Sequence, residues 1–339
     1  MILYPWLESD YLNILTRYQQ GKGHHALLLY SPKGNGKASL FQALSRWLIC
    51  LQPNTIRNCG QCHSCQLMNA GNHPDYYQLE LEKGQQSIGV ETIRVFIESL
   101  YSHARQGGAK VISLSHIELL TKQGVNALLK IIEEPPNNTY FLLGCRDKSC
   151  LLPTLLSRCL CWQLSYPDEA LGLSWLQQQK NTYPSLAAST ALRLCGGAPL
   201  AALALLQPAC WKQRIALCMA MSEALHCSDW LTLLPLLNGH NHKDNNNGPM
   251  HWLLTILIDA LKWQQGAQDF VVNVDQTHLV TAVAARWDSM TLHHQVQQWL
   301  NCRRKTTEVS GINRQLLLAY QLLNWELDMS DLYTNISTL

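Results

Sequence analysis

The chain predicts an α/β domain with a parallel sheet followed by an all-α remainder, and three observations carry this reading. Short apolar runs alternate with helical periodicity through the first half, a glycine-rich turn joins the first run to the first helix, and after about Pro167 only helical spacing persists. With 339 residues, 47% of them hydrophobic, there is material for two or three domains with buried cores.

The first apolar run is His25 to Tyr30 (HALLLY), and Ser39 to Leu51 follows with Leu40, Ala43, Leu44, Trp47 and Leu48 at helical spacing. Between them lies Ser31-Pro32-Lys33-Gly34-Asn35-Gly36-Lys37-Ala38. In a working loop of the form G-x-x-x-x-G-K-[ST], backbone N–H groups and a helix start cradle phosphates, the lysine reaches the outer phosphates, and the hydroxyl binds Mg²⁺. Here Gly34, Gly36 and Lys37 remain, Ser31 stands at the first glycine, and Ala38 removes the metal ligand. Ser39 lies about 100° further round a helix, which turns its hydroxyl away. The loop is therefore expected to be degenerate, with hydrolysis impaired and phosphate binding by Lys37 open.

Lys110 to Leu114 (KVISL) and Tyr140 to Gly144 (YFLLG) read as buried parallel strands. Thr121 to Glu134 places Val125, Leu128, Leu129 and Ile132 on one helical face, and Pro135-Pro136 ends it. Ligands of such a sheet sit at the carboxyl ends of its strands. Beyond it, Leu171 to Gln179, Ser185 to Cys195 and Leu200 to Leu206 read as three short helices, punctuated by Gly196-Gly197. Helices then follow over Trp211 to His226, Trp252 to Trp263, Leu292 to Cys302 and Arg314 to Leu327, with a polar loop at Asn238 to Pro249. The expected domains are 1–166, 167–207 and 208–339.

Cys59, Cys62 and Cys65 are spaced C-x₂-C-x₂-C, with Cys50 at the end of the helix after the loop. Four thiolates close a tetrahedral structural zinc site and leave no position for substrate. Three rivals stand beside zinc. Cys59 to His63 also fits the C-x-x-C-H haem attachment pattern, which requires export and leaves Cys50 and Cys65 unexplained. A redox pair would open a helix directly after a strand, and inert thiols are the third. The thirteen cysteines are otherwise expected to be reduced and the expected compartment is the cytoplasm, because Met1 to Asp10 shows no charged leader with an apolar stretch. The most apolar later segment, His251 to Trp263, is too short to span a bilayer and carries Asp259 and Lys262. A net charge of +2 gives no general case for binding nucleic acid or membrane.

Taken together, HHALLLY, the loop, the four cysteines, CQLMNAGNHPDYYQLE, NALLKIIEEPP and Ser157-Arg158-Cys159 resemble the clamp-loader ATPase subunits of bacterial DNA polymerase III. Within that family the inactive delta-prime members resemble the chain best, including Val309 to Arg314 (VSGINR). The resemblance implies an AAA+ type α/β domain with a zinc-binding insertion, a small helical lid and a helical collar domain. It also implies partners: the gamma/tau ATPase subunits and delta in a hetero-oligomeric ring, with the sliding clamp and primed DNA reached through the complex. Where active relatives carry an Asp-Glu pair at the end of the strand corresponding to Lys110 to Leu114, this chain has Ser115 and His116; their γ-phosphate sensor falls at Cys145-Arg146, and their lid arginine at Leu200. No ATP turnover of its own is expected, only membership of a DNA-directed DNA polymerase holoenzyme. Arg158 corresponds to the arginine that reaches the γ-phosphate of ATP on the adjacent subunit. Two other readings are an active ATPase with unusual metal ligands and a zinc-dependent nucleic-acid-binding module. Against the latter, Arg57 and Lys83 near the cysteines form no basic and aromatic stripe.

Overall fold

The computed structural model describes residues 3–81, 85, 87–101, 104, 106–179, 183–239, 248–309 and 311–336. Lys83, Ser310 and most of the expected polar loop (240–247) lie outside them. The chain divides into two units, Met1–Pro167 and Asp168–Leu339.

In the first unit, five strands form an all-parallel sheet: β1 (Ala26–Tyr30), β2 (Tyr76–Gln78), β3 (Lys110–Leu114), β4 (Thr139–Cys145) and β5 (Leu160–Gln163), in the order β2-β3-β4-β1-β5. Six helices accompany it: α1 (Glu8–Gln19), α2 (Lys37–Ile49), α3 (His63–Ala70), α4 (Val90–Leu100), α5 (Lys122–Glu133) and α6 (Pro153–Leu156). The three strands expected from apolar runs are present and buried throughout but for Tyr30 and Tyr140, as a parallel sheet between helices requires. Leu28, Ile112, Leu128, Phe141 and Leu143 sit fully buried in its core.

Local chemistry sets the helix ends. Gly36 takes φ of 89° to start α2 and Gly34 takes 90°, a left-handed pair that suits glycine. At α5, the Thr121 hydroxyl accepts from the Gly124 N–H at 3.1 Å, a side-chain cap, and the Pro135-Pro136 pair follows the terminal turn. Cys50 is extended at the end of α2, so the helix stops short of the Leu51 to which the spacing extends it.

The second unit is helical: α7 (Glu169–Gln177), α8 (Ser185–Leu194), α9 (Pro199–Leu205), α10 (Pro208–Cys227), α11 (Leu234–Leu237), α12 (Pro249–Gln264), α13 (Thr277–Arg286), α14 (Ser289–Glu308) and α15 (Arg314–Ile336). One core runs through it from Leu176 to Trp325, and the Trp230 and Trp325 rings stack at 4.2 Å between centroids. A buried polar network ties its parts. Arg214, with 0% of its side chain exposed, donates to both Asp275 oxygens at 2.7 and 2.8 Å and to Asn273 Oδ1 at 2.9 Å, while Thr190 on α8 donates to Asp275 at 2.9 Å. Such a charge is tolerated inside because it is paired and hydrogen-bonded. No single helix among the described residues is long and apolar enough to cross a membrane.

Candidate functional site

The register brings the degenerate loop, the end of β3 and the end of β4 to one edge of the sheet. Tyr30 of β1 pairs with Cys145 of β4, and Leu114 of β3 with Leu143, so Lys37, Ser115, His116, Cys145 and Arg146 converge at the carboxyl ends of the strands, where ligands of such sheets bind.

Lys37 is turned inward. Its Nζ donates to the Cys145 carbonyl at 2.7 Å, and Gly144 makes room for it: a Cβ there would lie 2.9 Å from Lys37 Cε and 2.6 Å from the Ser115 carbonyl. Burial pushes the amine down to about 8; the charges of Glu118 and Cys145 oppose this and Arg146 adds to it. Ala38, at the position of the metal-binding hydroxyl, is exposed, and Ser39 beside it is buried. The loop is also covered by the segment before α1. The Tyr4 and Trp6 rings stack at 4.9 Å, Trp6 Nε1 donates to the Asn35 carbonyl at 2.9 Å, and a Cβ on Gly36 would lie 2.6 Å from the Tyr4 ring. Asn35 in turn donates to the Ser165 carbonyl at 3.1 Å.

Glu118 is a residue of this edge that the sequence motifs do not mark. On a short 3-10 turn just past β3, its carboxylate lies 3.4 Å from His116 Nδ1 and 3.9 Å from Arg146 Nε, and its side chain is 27% exposed. Burial works to raise its carboxyl, but hydrogen bonds from His116 and its own backbone, with the charges of His116 and Lys37, outweigh this and hold it low. It sits beside Lys37 and Arg146, whereas an ATPase needs an acid for Mg²⁺ and one for the attacking water.

The buried lysine gives a pH-dependent expectation. Its folded value of about 8 lies below the 10.5 of a free lysine, so the unfolded chain holds the proton more tightly. The burial therefore costs stability in full below pH 8, and the cost fades as pH rises toward 10.5. Lys37→Met, which leaves the Cys145 carbonyl its bond from the Ser31 N–H at 3.2 Å, is expected to raise the urea midpoint at pH 7 and to raise it less at pH 9.5. A gain independent of pH would contradict this.

Arg158 lies at the other edge. It precedes β5, whose Leu160 pairs with Leu27 near the start of β1, whereas the loop follows Tyr30 at the end of β1. At roughly 3.3 Å per strand residue, the two sites are separated by about 10 Å of sheet or more. The guanidinium, with the side chain 38% exposed, pairs through Nε with Glu133 at the end of α5, and its Nη1 donates to the Thr154 carbonyl at 2.9 Å. The Ser157 hydroxyl donates to that same carbonyl at 3.0 Å, fixing the turn. Burial pushes the adjacent Cys159 thiol up to about 12, which keeps it unreactive.

The four predicted metal ligands meet. Sγ of Cys50 lies 3.6 Å from Cys65 and 3.9 Å from Cys62, Cys59 and Cys65 are 3.9 Å apart, and all four sulfurs lie within 4.8 Å of one another. Tetrahedral Zn–S bonds of about 2.3 Å put sulfurs roughly 3.8 Å apart, so the set is compatible with zinc. Backbone N–H groups point at the sulfurs: Cys59 donates to Cys50 and Cys62 to Cys59 at 3.3 Å each, and Cys65 to Cys62 at 3.4 Å. Those from Cys62 and Gln61 pull the Cys59 thiol down to about 6, whereas burial drives Cys50 up to about 12, so four thiolates here call for a cation. His63 and His73 are not in the group. The first of the two expected C-x₂-C pairs does not open a helix after a strand: residues 51–57 are exposed and irregular before α3.

Comparison with known proteins accords with this geometry. The sequence profile described as DNA polymerase III, delta subunit matches residues 8–168. The profile of the AAA+ ATPase lid domain of DNA polymerase III subunit delta' matches 167–207, and a profile of the carboxyl-terminal part of the DNA polymerase III delta subunit matches 208–327. DNA polymerase III subunit delta' of Yersinia pestis is 51% identical over 331 residues, covering 96% of each chain. Its counterpart from Escherichia coli K12 is 43% identical over 323 residues, covering 95% of each. A solved structure of a DNA polymerase III gamma subunit-related protein from Thermotoga maritima aligns at a TM-score of 0.48 and 17% identity, over 94% of this chain and 99% of that one. The chain belongs to the DNA polymerase III subunit delta' family.

Proposed function

We propose that this chain is a non-catalytic subunit of the clamp-loading assembly of DNA polymerase III, carrying Arg158 to ATP bound on a neighbouring subunit. The observation that carries the reading is the division between the two sheet edges. Lys37 is spent on a backbone carbonyl and its loop is covered by Tyr4, while Arg158 faces out from the opposite edge with no partner for Nη2 among the described residues. An arginine so placed cannot serve its own loop, and a guanidinium edge presented outward suits a phosphate on another chain.

The partners of this reading are the gamma/tau ATPase subunits and delta, with the sliding clamp and primed DNA engaged through the ring, in the cytoplasm. Of its three domains, 1–166, 167–207 and 208–339, the last would enter the collar: Leu316, Tyr320 and Leu323 leave an exposed stripe on α15 at 68%, 61% and 43%. The metal held by Cys50, Cys59, Cys62 and Cys65 would be one structural zinc.

Glu118 beside Lys37 favours one competing reading, an ATPase with an unusual acid. The purified chain with ATP and Mg²⁺ separates the two: no turnover is expected, and capture of the chain from native lysate should recover the loader ATPase. Turnover abolished by Lys37→Ala would establish the competing reading.

A further inference from the structure

We propose that Glu133 is the positioning residue of Arg158; this rests on the trans-finger reading above. Arg158 stands on a turn after α6 with 38% of its long side chain exposed, and an unanchored arginine would spread over many rotamers. Three groups confine it: the Glu133 carboxylate takes Nε, and the Thr154 carbonyl at 2.9 Å and Ser157 hydroxyl at 3.5 Å take Nη1. The carboxylate thereby occupies the Nε side of the fork and leaves Nη2, with the second N–H of Nη1, as the edge that a phosphate can take. The sequence places it there, because α5 is stopped by Pro135-Pro136 directly after its terminal turn, and His25 Nε2 binds the neighbouring Ile132 carbonyl at 2.8 Å.

The pair is nearly half exposed, 38% and 46%, so as a structural ion pair it contributes little. Its consequence is for the geometry of a group whose displacement by about 1 Å can cost 10²-fold in rate. Phosphate binding does not displace Glu133; it uses the other edge.

The test is a double-mutant cycle in the reconstituted loader with sliding clamp and primed DNA, following ATP turnover with Glu133→Ala, Arg158→Ala and both. Glu133→Ala is expected to lower kcat about tenfold or more, with KM for ATP within about twofold and the thermal midpoint of the chain unchanged. It should add nothing to Arg158→Ala, and Glu133→Gln, whose amide oxygen can still accept from Nε, should recover most of the rate. An effect of Arg158→Ala without one of Glu133→Ala would overturn the inference alone, as would a rise in rate or an equal loss in the Arg158→Ala background. No effect of Arg158→Ala would overturn the finger reading and this inference with it.

Discussion

Arg158→Ala in the assembled loader is expected to slow hydrolysis at the neighbouring nucleotide by about 10³-fold or more, the scale on which an arginine finger stabilises charge on a transferring phosphoryl group. The chain itself should fold and assemble as before, because exposed ion pairs such as that with Glu133 are worth about 0.2–1 kcal/mol. Arg158→Lys should not restore the rate: an ammonium lacks both the planar Nη end offered to phosphate and the Nε that Glu133 holds. Single-turnover hydrolysis by the reconstituted complex measures this, with circular dichroism of the variant as the control for folding. Turnover unchanged in the complex would remove Arg158 from the chemistry.

The second large effect concerns the cysteines. In small zinc modules the metal-binding free energy, about 10 kcal/mol or more, is folding free energy, and the segment between Cys50 and α3 has little else to hold it. Residues 51–57 are exposed, and the segment is tied to the rest by a few side-chain bonds, such as Tyr11 to the Ile56 carbonyl at 3.0 Å and Trp47 to the Asn54 carbonyl at 3.3 Å. Cys62→Ser is expected to release one equivalent of zinc and to open residues 51–62 to protease, while the sheet survives on its own core. Elemental analysis with limited proteolysis checks it. Protein prepared without chelator that holds no zinc, or a segment equally resistant in the variant, would favour inert thiols.

What could be read from the residues was what has a local signature. The loop, the three longer strands, α5 with its Thr121 start and Pro135-Pro136 stop, and the C-x₂-C-x₂-C spacing each follow from chemistry within a few residues. The two short strands did not: β2 has three residues, and β5, LCWQ, is an edge strand of four with alternating partial exposure, too brief for a period to declare itself. The cover over the loop was likewise invisible. Trp6 meets Asn35 across 29 residues, and Arg214 meets Asp275 across 61; no local pattern encodes such pairings. Glu118 lies beyond the end of its strand, where no local pattern marks it, and the 3-10 turn of residues 117–119 returns it toward His116 and Lys37. For Arg158 the residues offered a resemblance, and the register of β1 with β5 adds that it lies away from its own loop.

Whether this chain serves a neighbour's ATP and not its own is decided by ATP turnover of loader reconstituted with either Lys37→Ala or Arg158→Ala in this subunit alone. Lys37→Ala is expected to match the unaltered complex, while Arg158→Ala loses clamp-stimulated turnover. The reverse pattern, loss with Lys37→Ala and none with Arg158→Ala, would contradict a role in trans.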